Sequence, residues 1–237
     1  MAFLSYQAYS QGGPPMITDD TETVPKGHWE INTAFTFERG ADARLFGTPL
    51  LDINYGLSEH AQLKIEIPWL VQSRNGQRRI QGLGNSNIGV RWRFRDERKN
   101  QRIAMSIYPQ IAFNNPTSSV RRGLVEKGPE FLMPLQWQTK LGKFAVGGDV
   151  GYLFKRGPDE MIYGFVVGKQ LNDSVEVMGE IHGTGPRANL SASEVVYNFG
   201  TRAKLTKHLT LLLSAGKSLR QNRDPRLIGY GGIRFEF

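Results

Sequence analysis

Between His28 and the terminal Phe237 the chain alternates apolar and polar residues in twelve short runs, and the gaps between those runs are mostly long and short in turn. Successive side chains of a strand point to opposite faces, so each run carries one apolar and one polar face. A strand in hydrocarbon must show lipid an apolar residue at every second position, and closing the sheet on itself leaves no backbone group unpaired. The pattern predicts an all-β fold: a transmembrane, antiparallel, up-and-down β-barrel of twelve strands. The last run shows the logic. Leu227, Gly229, Gly231, Ile233, Phe235 and Phe237 share one face, and Ile228, Tyr230, Gly232, Arg234 and Glu236 the other.

The expected strands are His28 to Glu38, Thr48 to Ser58, Ala61 to Gln72, Asn87 to Arg95, Arg102 to Asn114, Glu130 to Leu141, Phe144 to Lys155, Met161 to Leu171, Val175 to His182, Glu194 to Leu205, Leu209 to Arg220 and Leu227 to Phe237. An even count returns both ends to one side, as single-chain bacterial barrels require. The tight gaps Glu59-His60, Asp96 to Gln101, Gly142-Lys143, Asn172 to Ser174 and Thr206 to His208 read as periplasmic turns. Longer gaps such as Ser73 to Leu83, Asn115 to Gly128, Gly183 to Ser193 and Gln221 to Arg226 read as extracellular loops, because barrels keep their short turns on the periplasmic side. Outward aromatics fall into two expected belts. One holds Trp29, Tyr55, Phe94, Phe144 and Phe237, the other Trp69, Phe113, Phe131, Phe154 and Tyr163, at the two headgroup levels.

Composition narrows the alternatives. No run of 18 apolar residues exists, so a spanning helix is excluded, while a barrel is not, its apolar signal being diluted by lumen residues. With no cysteine, disulfides, thiolate catalysis and cysteine-based zinc sites are all excluded. The net charge of +8 is spread through strands and loops with no clustered patch, which argues against nucleic acid as a partner. Four histidines and no convergent hydroxyl give no hydrolase constellation, no metal set is suggested by spacing, and no cofactor is expected.

Residues 1–26 are expected to precede the barrel, which takes up 27–237. Met1 to Gln11 has no Lys or Arg, and Ala8-Tyr9-Ser10 has the character of a cleavage-site tail, so this stretch reads as the remnant of a signal peptide that begins upstream, or else as a leader without structure. Gln11 to Lys26 reads as a periplasmic segment. It is either a tether or, through Asp19, Asp20 and Glu22, a plug folded into the lumen against its arginines.

Gly13-Pro14-Pro15-Met16-Ile17-Thr18-Asp19-Asp20-Thr21-Glu22, followed by Gly27-His28-Trp29-Glu30, resembles the start of a family of outer-membrane transporters named for the meta-pathway of phenol degradation. The similarity continues through Thr48-Pro49, Asn54-Tyr55-Gly56, Gly82-Leu83-Gly84-Asn85 and Gly89-Val90-Arg91 to Phe237. The resemblance implies uptake of aromatic or other hydrophobic compounds and assigns no substrate residue. A chain ending on an aromatic residue within such a strand also resembles the C-terminal signal read by the outer-membrane assembly machinery, which makes Phe237 that signal.

Inward positions carry both signs of charge. The candidates for a solute path are Arg91, Arg93 and Arg95 on the fourth strand, with Lys64, Glu66, Asp149, Glu180, His182, Arg202 and Arg234. Buried charges pair for solvation, so a structural ladder that holds the barrel round competes with a polar path. Arg91, Arg93 and Arg95 are the foremost candidates for contact with an anionic or phenolic solute, and Glu180 with His182 is a lumen ion pair or an acid/base pair. The expectation is thus a cell outer-membrane porin-like channel or transporter, not an enzyme, with lipid, the assembly machinery and a small solute as partners. A non-transporting structural or adhesive barrel is the alternative, and a soluble β-sandwich comes third.

Overall fold

The computed structural model describes residues 13–97, 102–220 and 224–237. The leader reading of Met1 to Gln11 lies outside these, as do parts of the expected turn Asp96 to Gln101 and loop Gln221 to Arg226.

Twelve antiparallel strands close into one barrel. They are β1 (Trp29–Arg39), β2 (Ala43–Ser58), β3 (Ala61–Arg74), β4 in two pieces (Ile80–Leu83 and Ser86–Arg95) and β5 in two pieces (Ile103–Ile107 and Gln110–Phe113). β6 (Glu130–Leu141), β7 (Phe144–Phe154), β8 (Glu160–Asn172), β9 (Val175–Pro186), β10 (Glu194–Thr206), β11 (Leu209–Ser218) and β12 (Leu227–Glu236) complete the meander. The seam is β1 against β12, paired from Glu30 opposite Glu236 to Arg39 opposite Leu227. Below that register the Trp29 N–H donates to the Phe237 carbonyl at 2.8 Å, and the Phe237 N–H returns to Trp29 at 3.1 Å. The terminal residue therefore closes the sheet at its periplasmic rim.

Several strand limits differ from the expected ones. β2 starts at Ala43 rather than Thr48: Phe37 pairs with Phe46 and Arg39 with Arg44, so the strand runs on past a register shift around Gly47 to Leu50. That leaves only 40–42 between β1 and β2. Ile80–Leu83, expected in a loop, pairs with β3 from Trp69 to Gln72 and is the upper piece of β4. The break at Gly84-Asn85 hid it from a period-two reading. β5 is broken at Tyr108-Pro109, where proline has no N–H to give the ladder. β9 extends beyond His182 to Pro186, because its tail pairs with Glu160 to Ile162 of β8.

Burial separates the two faces. Asn32, Ser106, Gln136 and Leu212 point inward and are fully buried, whereas Ile88, Trp92, Phe165, Phe199 and Phe235 stand exposed outside. In β8, Ile162 faces the lumen and Phe165 faces out, which settles the one strand whose sequence pattern served either phase. Trp29 and Tyr55 touch at 4.6 Å in the lower belt, and Phe131 stacks on Phe154 at 6.1 Å in the upper one. An apolar band encircling the whole molecule has no place in water and rules out a soluble sandwich. A closed barrel that is apolar outside and polar within belongs in an outer membrane.

Ile88 lies in this band between Trp92 and Phe113 and is 40% exposed. Ile88→Arg places a charge against lipid and is expected to lower stability by about 2–4 kcal/mol. Equilibrium unfolding from lipid vesicles measures it.

Candidate solute path through the lumen

A polar ladder climbs the inner wall from β12 across β1 and β2 to β3. Arg234 meets Glu30 at 3.3 Å and donates to the Asn32 side-chain oxygen at 3.1 Å. Asn32 donates to Asp52 at 3.1 Å, and Asp52 pairs with Lys64 at 3.1 Å, with Glu66 another 3.9 Å from the same ammonium. Asn54 donates to Asp52 and receives from Gln62 at 2.6 Å. Side chains two apart on neighbouring strands face one another on one side of the sheet, which is why alternate positions build a continuous network. Lys64, Glu66 and Arg234 are members of this wall.

The opposite side of the lumen is organised around the N-terminal segment. Residues 13–24 lie inside the barrel, with Met16, Thr18, Asp19 and Thr21 buried. The segment enters at the periplasmic end, where the Thr23 hydroxyl donates to the Glu59 carbonyl and the Val24 N–H to the Gln62 side chain at 2.8 Å. It climbs until the N–H groups of Ile17 and Thr18 donate to Glu180 at 2.8 and 2.7 Å, and that of Asp19 to Asp149 at 3.0 Å. It then turns down, the Met16 N–H bonding the Gly13 carbonyl at 2.9 Å. Ser214 donates to the Pro15 carbonyl at 2.8 Å, and Arg202 to those of Pro14 at 2.9 Å and Gly13 at 3.1 Å. Gly200 and Gly164 make room for it: a Cβ at the first would run into the Met16 methyl, and at the second into Thr18 and Asp149.

Arg91, only 2% exposed, ties the segment to β4. Its guanidinium pairs with Asp19 in a very short contact, reaches Asp20 at 3.2 Å and donates to the Glu22 carbonyl at 2.7 Å, while its face lies 4.8 Å from the Tyr108 ring. Asp20 also faces Arg202 at 3.7 Å. Burial pushes the Asp19 carboxyl up to about 6, against the pull of Arg91. A cation so deep needs its acids beside it, because a buried charge that loses its partner costs several kcal/mol.

Four of the ten candidate residues, Arg91, Asp149, Glu180 and Arg202, thus converge on the N-terminal segment. Arg93 meets Asp96 at 3.0 Å at the periplasmic rim, and Arg95 stands half-buried beside it, so the three arginines of β4 do not form one pocket. Glu180 is saturated by Ile17, Thr18 and Asn198 and makes neither an ion pair nor an acid/base pair with His182. His182 sits higher, in a cavity of about 390 Å³ in the extracellular half whose floor is Pro15 and Ile17. Two cavities of about 570 and 560 Å³ open on the periplasmic side of the segment. Among the described residues no three His, Asp or Glu side chains gather as a metal site. Ser214 and Asn198 escaped sequence reasoning because their role comes from a segment far away in the chain.

No family model and no curated protein sequence matches the chain. Among solved structures, the COG4313 outer membrane channel from Pseudomonas putida F1 aligns over 92% of this chain and 97% of its own, at 12% identity and a TM-score of 0.74. The KdgM porin in complex with disordered oligogalacturonate covers 88% of this chain and 99% of its own, at 10% identity and TM-score 0.61. The NanC porin covers 87% and 98%, at 10% identity and TM-score 0.58. At such identities the likeness is one of fold, and that fold is shared with proteins named as outer-membrane channels and porins.

Removing the guanidinium should unseat the segment. The chain has no cysteine, so Thr21→Cys gives a single thiol at a position that is buried. It is expected to react slowly with a charged thiol reagent in the parent barrel and at least tenfold faster once Arg91→Ala is added, the loss of one partner of a buried pair being worth about 3–5 kcal/mol.

Proposed function

We propose that the protein is a passive outer-membrane channel for small solutes whose resting state is closed by its own N-terminal segment. The observation that carries this reading is the partition of the lumen. Residues 13–24 fill the middle, and solvent-sized cavities lie on both sides of them. A barrel serving only as a wall or an adhesin has no use for a polar seat that holds a removable segment through its backbone. The resemblance to the phenol meta-pathway transporters and the fold shared with named channels support the same reading. Apolar side chains around the upper cavity, Ile17, Val196 and Ile228, favour a solute with an aromatic or otherwise hydrophobic body.

The test is single-channel conductance of the refolded protein in planar bilayers, with and without residues 13–24. The intact chain is expected to conduct weakly. Deletion should raise conductance severalfold, since a filled constriction becomes a wet polar one. Equal conductance removes the segment as a closure, and silence in both forms would favour the non-transporting barrel.

A further inference from the structure

We infer that the extracellular half of the lumen is a binding site for a small organic cation, a protonated amine carried on an aromatic or branched apolar body. The inference names a solute class for the proposed channel and rests on that reading only for the solute's onward passage.

The cavity above Ile17 is lined by three carboxylates, Glu38, Glu160 and Glu194. Two of these acids and a neighbour are engaged: Lys155 holds Glu160 at 2.7 Å, Arg226 lies 3.8 Å from Asp224, and Glu194 is not free either. Glu38 is different. The charged groups that act on it, Glu194 and Asp224, are both acidic, and among the described residues no cation reaches it. An acidic rim alone would be only a solvated edge.

The buried polar atoms below it point to a ligand. The Thr36 hydroxyl, on a residue 6% exposed, has no hydrogen-bond partner. The Asn198 side-chain oxygen, on a residue 1% exposed, has none either, its amide nitrogen being used on Glu180. His182, 5% exposed, borders the cavity beside them. All three line the same cavity. Buried polar groups are almost always paired, so unpaired ones around a cavity mark a place for a partner. Two of the three are oxygens able to accept, beneath a carboxylate lacking a cation, which is the complement of an ammonium and its N–H donors. Ile17, Val196 and Ile228 supply the apolar wall for the body of such a molecule, and about 390 Å³ suits one of modest size.

The probe pair is tyramine and 4-hydroxyphenylacetate, alike in shape and opposite in charge. Binding is measured by isothermal titration calorimetry on the refolded full chain in detergent, its fold checked by heat-shifted gel mobility. Tyramine is expected to bind at least tenfold more tightly than the acid. Glu38→Gln and Glu194→Gln should each weaken tyramine severalfold or more, while Glu236→Gln at the periplasmic end leaves it unchanged. If either Glu variant does not fold, the other and Thr36→Val carry the comparison. Equal affinity for the two probes, no tyramine binding, or indifference of tyramine to the folded Glu38→Gln and Glu194→Gln variants overturns the inference. Because this is read in the closed chain without transport, its failure is separate from that of the conductance experiment.

Discussion

Closure of the β1–β12 seam is the constraint on which everything else depends. In hydrocarbon an unpaired N–H or carbonyl costs several kcal/mol, so a sheet with a free edge cannot stay in the membrane. Here first and last strands pair over ten residues, and reciprocal bonds between Trp29 and Phe237 extend the ladder to the chain terminus. Once the sheet is closed, alternation does the rest. Every second side chain is committed to lipid, and the others are committed to a lumen too narrow to leave many of them in bulk water.

That commitment creates an electrostatic problem within the barrel, and the structure solves it in two ways. On the side of β12, β1, β2 and β3 the wall satisfies itself, because Arg234, Glu30, Asn32, Asp52 and Lys64 lie at heights where neighbours meet. Across the lumen, Arg202 has a wall partner in Glu176 at 3.5 Å, whereas Arg91, Asp149 and Glu180 are met chiefly by the N-terminal segment. The N-terminal segment supplies carboxylates and carbonyls to the two arginines, and N–H groups to the two acids. The segment that fills the middle of the lumen is therefore also a source of counter-charge and hydrogen bonds for this side of the wall.

The barrel was legible in the sequence because period-two alternation is enforced by lipid at every crossing. Strand phases, the two aromatic belts and the short periplasmic turns all follow from that single rule. Limits were less legible where the rule is interrupted. At Gly84-Asn85 and Tyr108-Pro109 the ladder breaks without the sheet ending, and at Gly47 to Leu50 a register shift conceals five further residues of β2. The site was legible in part. Inward charge could be read position by position, but which charges meet depends on stagger around the barrel, and stagger leaves no trace in one strand's pattern. Three arginines at spacing two on β4 looked like one basic site, yet they descend from the core at Arg91 to the rim at Arg95, and only the first is deep enough to need buried acids.

The seat of the N-terminal segment carries a further lesson about specificity. Most bonds that hold the segment engage its backbone, Arg202 and Ser214 donating to its carbonyls and Glu180, Asp149 and Gln62 accepting from its N–H groups, and the ion pairs of Asp19 with Arg91 and of Asp20 with Arg91 and Arg202 are the main side-chain contributions. A backbone seat reads an extended chain of given length and direction rather than a particular sequence, as when a peptide strand is added to a sheet edge. Proline at 14 and 15 fits that role, since each keeps a carbonyl for the wall and gives up only an N–H. Placement then falls to the two acids, which must sit where Arg91 and Arg202 can share them. Such a segment is held firmly enough to fill the lumen, yet it is tied by few groups that are not replaceable by water. Those are the properties a closing element needs if the wall around it is to survive its removal.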